Sequence, residues 1–151
     1  LSGVHPGPAP AHRIEIWIGA NRPRALALTG RVADGWVSPL MNYKPARDAA
    51  EGNRAIDRAA RAASRDPREI RRIFLIPGAF TSTFQAPASD TDQAIVGPPE
   101  QWAEALTHFA TDLGFGTFVL ATPPDPETLT TFIEVVAPKV LEGVAERRAG
   151  A

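Results

Sequence analysis

The sequence contains no cysteine and only three histidines among its 151 residues. Without cysteine there is no disulfide bond and no thiolate metal site. The histidines His5, His12 and His108 are too scattered to form a metal-binding motif of recognisable spacing. The sequence therefore predicts no metal site.

The sequence also lacks a long apolar run and a strong net charge. No segment approaches the roughly 20 apolar residues of a membrane-spanning helix, and no stretch is typical of a signal peptide. The formal net charge of -1 gives no electrostatic reason to bind nucleic acid. The arginines between Arg54 and Arg72 alternate with acidic residues, as on a solvated helix. We expect a cytoplasmic protein that binds neither membranes nor nucleic acids.

What the sequence does contain is a regular alternation of short apolar segments and amphipathic segments. Residues 1–13 are rich in proline and lack periodicity, so we expect an extended lead-in. We expect one domain over residues 14–147 and a tail over residues 148–151. The predicted strands are Ile14 to Ala20, Asp34 to Pro39, Arg71 to Phe80 and Gly116 to Thr122. The predicted helices are Arg22 to Ala33, Lys44 to Ser64, one from Pro98 that stops before Gly114, and one from about Pro126.

Smaller features complete this assignment. Asn21 is expected to cap the first helix, and Asp66 a short helical turn. Residues 81–93 are small and polar, which predicts a long loop. Pro138 should bend the last helix. The residues predicted to form buried helix faces are Trp102, Ala105, Leu106, Phe109 and Leu113, and then Leu129, Phe132, Ile133, Val136, Val140 and Val144.

Four strand-helix units with near-continuous apolar strands predict an α/β fold with a parallel sheet covered by helices. Four such units suit either an open sheet or half of an eightfold barrel, since a complete barrel typically needs about 250 residues. Composition does not choose between the two.

The segment IWIGANRPRALALTGRVADGWVSP, residues 16–39, resembles the bacterial luciferase-like superfamily of flavin- and F420-dependent oxidoreductases. Three later segments, DPREIRRIF, IVGPPEQWAEAL and LGFGTFVL, are similar to the corresponding parts of that superfamily. The resemblance covers about Pro8 to Val140 and matches the fifth to eighth units of the family's TIM barrel. It therefore implies the C-terminal half of a (β/α)8 barrel.

A half barrel leaves two sheet edges unpaired and one sheet face uncovered. The resemblance thus implies association, either as a homodimer or with a complementary half barrel. It also implies an oxidoreductase or monooxygenase, or the C-terminal portion of one, that uses FMN or F420 and a small-molecule substrate. The alternative is a non-catalytic remnant that dimerises or binds a phosphate-bearing ligand.

The candidate cofactor-binding residues lie where the first strand meets the first helix. A helix N-terminus offers unpaired N–H groups and the positive end of the helix dipole, which suits an anion. The same residues also suit an ordinary strand-to-helix turn. By resemblance, this corner contacts the cofactor phosphate. The candidates are Gly19, Ala20, Asn21, Arg22 and Arg24, joined by Ser38 and more weakly by Lys44.

Other polar residues are expected to have structural roles. Asp34 should form a turn or pair with Arg31, at the stability face of a barrel. Gly97 opens a second helix start, where Glu100 already satisfies the dipole. His108 is expected at the surface. No nucleophile-base pair is visible, so the sequence assigns no catalytic residue.

Overall fold

The computed structural model describes residues 7–38, 45–85, 94–121 and 125–150. Six strands lie in these ranges: β1 (Trp17–Gly19), β2 (Gly35–Val37), β3 (Arg71–Ile76), β4 (Gly78–Phe80), β5 (Ile95–Gly97) and β6 (Thr117–Leu120). Four of them form one sheet in the order β1-β2-β3-β6, and every neighbouring pair is parallel. The parallel sheet confirms the α/β class.

Helices follow the strands of this sheet. Their bounds are α1 (Pro23–Val32), α2 (Pro45–Ala62), α3 (Pro99–Thr111), α4 (Pro126–Thr131) and α5 (Ala137–Ala149). A 3-10 turn, Pro67–Glu69, is capped as predicted, because the Asp66 side chain accepts from Arg68 N–H at 2.9 Å. Helix α3 stops as predicted before Gly114, whose φ of 76° is the left-handed conformation that glycine adopts readily.

The hydrophobic core lies between one face of the sheet and the helices. Strand register places Ile18 beside Trp36, and Phe74 beside Phe118. Trp36 and Phe74 are almost completely buried, and both rings contact Phe115, with centroids 5.9 and 5.0 Å apart. Aromatic packing thus joins the centre of the sheet to the segment that precedes β6.

The opposite face of the sheet is less well covered. Because side chains alternate along a strand, Val37, Ile73, Leu75 and Val119 share this face with Trp17. Ile73 is buried at its centre, but the other three are only half-buried and Trp17 is 45% exposed. In a closed barrel this face would be the interior.

The third unit differs from the prediction. Arg71 to Phe80 was predicted as one strand, but β3 ends at Ile76 and the chain leaves the sheet at Pro77. Strand β4 then pairs in parallel with β5, and Ile95 N–H donates to Pro77 O at 3.0 Å. The sequence did not predict β5, because three apolar residues before two prolines give no strand periodicity. Part of the predicted loop, residues 86–93, lies outside the described residues.

The last helix is interrupted. A π-helical segment, Phe132–Val136, lies between α4 and α5, immediately before Pro138. Proline has no N–H to donate, and i→i+5 bonding accommodates that loss. The π segment also changes which residues face inward. Val136 and Val140 are buried as predicted, whereas Leu129 and Ile133 are 42% and 58% exposed, so their prediction as core residues was wrong.

Exposed apolar side chains occur near both edges of the sheet. At the β1 edge they are Ile14, Ile16, Trp17, Leu28 and Val32. On the helices after β6 they are Leu129, Ile133 and Leu141. In the part of the chain that the structure describes, no helix combines the length and apolarity needed to cross a bilayer.

Candidate functional site

The candidate corner connects β1 to α1. Gly19, the last residue of β1, is exposed, and a Cβ there would meet only Val37 O, at 4.0 Å. Ala20 is buried, whereas Asn21, Arg22 and Arg24 are exposed. The backbone at Gly19 is therefore open to close approach by a ligand.

Arg22, and not Asn21, is the N-cap of α1. The predicted Asn21 cap is wrong because Pro23 occupies the first helical turn, and a residue before proline is restricted to extended backbone. Among the described residues, no side chain caps α1 and no acidic residue lies in its first turn. The first intrahelical bond runs from Leu26 N–H to Arg22 O at 2.9 Å, so Arg24 N–H precedes it.

Helix α3 begins differently. Glu100 lies in its first turn and accepts from Lys139 at 2.7 Å, and this hydrogen bond holds the pKa of Glu100 below its ordinary value. Two prolines at the start, Pro98 and Pro99, provide no N–H groups. As predicted, Glu100 occupies the positive end of this helix dipole, so α1 is the more receptive of the two helices for an anion.

Trp36 connects the corner to the core. Its Nε1–H donates to Ala20 O at 2.8 Å. Its ring lies against Gly52 of α2, where an added Cβ would be 2.6 Å from the ring. The sequence predicted neither contact, although a glycine within an alanine-rich helix was a signal that something approaches the backbone there.

Ser38 follows β2 and is completely buried. Its N–H donates to Ile73 O at 2.9 Å, and its Oγ accepts from Leu75 N–H at 3.4 Å. The hydroxyl is thus engaged with β3, in contrast to the exposed corner residues. Lys44, the weaker candidate, lies outside the described residues.

A cavity of about 390 Å³ adjoins the start of α1. Asn21 and Arg22 line it on one side, and Trp36 and Gly52 line it beneath. Its charged residues are Arg22, Arg58, Asp48 and Glu51, two of each sign. The cavity therefore has no net charge that would select an anion.

Asp34 ties β1 to β2. Its carboxylate accepts from Ile16 N–H at 2.9 Å and from Arg13 at 2.5 Å. The backbone hydrogen bond, then the arginine, hold the pKa of Asp34 below its ordinary value. The predicted partner Arg31 is wrong, because the extended residues before β1 bring Arg13 to the carboxylate. The expected structural role agrees with these contacts.

A second cavity, of about 440 Å³, lies at the start of β3. There Arg72 donates to Asp57 Oδ1 and Asn53 Oδ1, each at 2.7 Å, and to Ile70 O. Burial lowers the pKa of Arg72, and Asp57 opposes this effect. These polar groups satisfy one another at the amino-terminal end of the strands, where barrel residues serve stability.

His108 lies at the surface as predicted, with Nδ1 2.5 Å from Asp112 Oδ2. Within the described ranges, no group of three or more histidine or acidic side chains is placed to hold a metal ion.

The family profile named luciferase-like monooxygenase matches residues 2–90, more than half of the chain. The chain belongs to the luciferase-like monooxygenase family. The match includes the whole β1-α1 corner and confirms the resemblance that the corner motif predicted.

Curated relatives match a shorter part of this luciferase-like chain. The phthiodiolone/phenolphthiodiolone dimycocerosates ketoreductase of Mycobacterium tuberculosis is 43% identical over 56 residues, which are 37% of this chain and 14% of the relative. The enzyme of that name from Mycobacterium kansasii is 45% identical over 56 residues, 15% of its length. The matched region is a small part of each relative.

Solved structures establish the fold over most of the chain. An F420-dependent tetrahydromethanopterin reductase from Methanopyrus kandleri superimposes with a TM-score of 0.68 at 16% identity, covering 83% of this chain and 50% of that one. A long-chain alkane monooxygenase gives 0.65 at 14% identity, covering 84% and 41%. An F420-dependent secondary alcohol dehydrogenase gives 0.62 at 15% identity, covering 87% and 50%. This luciferase-like chain therefore spans half or less of these barrels, in agreement with the predicted half barrel.

Proposed function

We propose that this luciferase-like chain provides the phosphate-binding half of an oxidoreductase that uses FMN or F420 and acts on a small molecule. A bound flavin or deazaflavin supplies the hydride or oxygen chemistry. The contribution of this chain is to hold the cofactor phosphate at the β1-α1 corner through Gly19, Ala20, Asn21, Arg22 and Arg24.

One observation carries this proposal: α1 begins without a capping side chain and without an acidic residue in its first turn, as far as the described residues extend. Its dipole and its early N–H groups are thus available to an anion. Arg22 and Arg24 are exposed beside it, and Gly19 leaves the backbone accessible. Ser38 has a separate role, because its buried hydroxyl supports the β2-β3 pairing next to the corner.

The names of the structural neighbours support the choice of cofactor. The reductase and the alcohol dehydrogenase are both described as F420-dependent. A further neighbour, a riboflavin lyase with a TM-score of 0.63 at 16% identity, was solved with modified FMN. Both F420 and FMN carry phosphate, so the same corner suits either.

Titration of the chain with FMN and with riboflavin tests the proposal, because the two ligands share a ring system and differ by the phosphate. We expect FMN to bind more tightly, as measured by flavin fluorescence. Arg22→Ala should weaken FMN binding by about tenfold, the lower range for one charge-assisted hydrogen bond. F420 titrated in parallel decides between the cofactors.

Arg31→Ala is the matched control, since Arg31 is an exposed arginine in the last turn of the same helix. It should leave the FMN affinity unchanged. Equal affinities for FMN and riboflavin, or equal losses in the two variants, would contradict phosphate binding at the corner.

The barrel is completed by four further strand-helix units, supplied by a second copy of this chain or by a complementary half barrel. The half-buried sheet face and the exposed apolar residues near both edges support such an association. The dimer is the simpler of the two, because each copy offers both edges of a parallel sheet.

The alternative function is a non-catalytic half barrel that binds a phosphate-bearing ligand. It is favoured by the engagement of Asp34, Asp57 and Arg72 in structural contacts, which leaves them without a role in chemistry. Oxidation of reduced flavin by the associated protein distinguishes the two functions, since only the oxidoreductase turns over.

A further inference from the structure

We infer that Trp36 is a positioning residue that orients the Ala20–Asn21 peptide group so that Asn21 N–H is presented to a bound phosphate. This inference rests on the proposed function and concerns how the corner is held in its binding conformation. Trp36 itself is buried and does not reach the exposed side of the corner.

The argument begins with the hydrogen bond from Trp36 Nε1–H to Ala20 O at 2.8 Å. Ala20 O and Asn21 N–H belong to one peptide group. Such a group is planar and, as no cis peptide occurs among the described residues, its C=O and N–H point in opposite directions. Fixing Ala20 O toward the buried indole therefore turns Asn21 N–H away from the core.

The indole is held firmly enough to act in this way. Its ring stacks on Phe115 with an interplanar angle of 27°, and Gly52 lies against the other end of the ring. Trp36 is 1% exposed, so water does not compete for the hydrogen bond. The contact between β2 and α2 thus determines the orientation of a peptide group at the start of α1.

The hydrogen bond also affects the strength of the exposed donor. A donor on a peptide C=O polarises the peptide group, which makes its N–H a better donor to an anion. Conversely, an anion on Asn21 N–H should strengthen the bond from Trp36. The indole N–H of Trp36 should therefore sense phosphate on the far side of the peptide group.

The protein provides an internal comparison for a test by NMR. Its three tryptophans place Nε1–H in three environments: Trp36 on a backbone carbonyl, Trp17 on the Glu15 carboxylate at 2.8 Å, and Trp102 buried with no partner found for Nε1 in the described structure. The three indole resonances are assigned by the loss of one signal in Trp36→Phe and of another in Trp102→Phe.

The test titrates the full chain with inorganic phosphate. In the wild type, we expect the Trp36 indole resonance to shift together with the Asn21 amide, and the Trp17 and Trp102 resonances to stay in place. Trp36→Phe should weaken phosphate binding by about threefold to tenfold, the range of one neutral hydrogen bond. Trp102→Phe, the same change at another buried indole without that bond, should bind as the wild type does.

The outcomes separate this inference from the proposed function. If phosphate shifts the corner amides but not the Trp36 indole, or if both phenylalanine variants bind equally, the positioning role is wrong and the phosphate site stands. If the wild type does not bind phosphate at the corner, both are wrong. The wild-type titration decides the matter even where Trp36→Phe does not fold.

Discussion

Gly52 lies within helix α2, where glycine is less favourable than alanine by about 1 kcal/mol. The reason for a glycine is the ring of Trp36. A Cβ at position 52 would be 2.6 and 2.9 Å from two ring carbons, closer than carbon atoms pack. The same ring donates to Ala20 O, so Gly52 indirectly permits the conformation of the corner.

Gly52→Ala should therefore destabilise the protein, by about 1–3 kcal/mol, because overpacking the core exceeds the gain in helix propensity. Denaturant unfolding measures the change. In a Trp36→Phe background the two ring carbons are absent, and the same substitution should be neutral or stabilising. A penalty that is equal in both backgrounds would show that the ring is not its cause.

At this scale the sequence predicted what local chemistry determines and missed what tertiary contacts determine. The corner residues from Gly19 to Arg24 were identified from a strand, a proline and a family motif. The Trp36 bond to Ala20 joins residues 16 positions apart through the core, and no pattern of residues encodes it. Arg13 was missed as the partner of Asp34 because it lies in a segment without periodicity.

Strands β1 and β2 are short elements, and Asp34 holds their beginnings together. Asp34 N–H donates to Ile16 O while its carboxylate accepts from Ile16 N–H, both at 2.9 Å. The pair is reciprocal, so it fixes the register of an edge strand of only three residues. Arg13 adds a charge from the exposed side.

The lowered pKa of Asp34 predicts a dependence of stability on pH. A carboxylate whose pKa is lower in the folded state stabilises the fold above its unfolded pKa of about 3.9, and this stabilisation is lost as pH falls through the folded pKa. Asp34→Asn should lower the free energy of unfolding at pH 7 and flatten its decline below about pH 4.

Urea unfolding between pH 2 and pH 7 measures this effect. Arg13→Ala is the companion variant, because it removes the ion pair and leaves the larger influence, the Ile16 hydrogen bond, in place. It should have the smaller effect on the decline. A wild-type decline in Asp34→Asn would exclude this carboxylate as its source.

The order of elements was predictable because strand and helix periodicities alternate cleanly along most of the chain. Two departures were not. Strand β5 is three residues long and gains its partner only through β4. The π-helical segment ahead of Pro138 depends on how a helix with a missing N–H packs, and its effect on Leu129 and Ile133 followed from that.

The whole molecule is a curved parallel sheet with two unlike edges, β1 and β6. Exposed apolar residues lie beside each edge, and one sheet face is only partly covered. In a closed barrel, the outer edge of β1 would pair in parallel with a strand equivalent to β6. Two copies related by a twofold axis along the barrel satisfy this condition at both junctions.

Val32→Glu tests that arrangement. Val32 is 57% exposed on α1 beside the β1 edge, so the change should leave the monomer folded. In a dimer it would bury a charge, and we expect association to weaken by more than about tenfold. Sedimentation velocity over a range of concentrations measures the change, with a wild-type mass of twice 16.1 kDa.

Glu104→Lys, an exposed charge change on α3, is the control and should keep the wild-type mass. A wild type that stays monomeric at every concentration, without a complementary half barrel, would contradict the proposed association. Equal behaviour of the two variants would place the interface away from the β1 edge.

Because the two strand borders are different, the contact between copies is head-to-tail, and its outcome depends on geometry alone. A rotation of 180° per copy closes a ring of two. A smaller or larger rotation leaves a free border at each end, to which further copies add without limit, as in a filament. The curvature of a four-stranded sheet thus separates a discrete enzyme from a fibre.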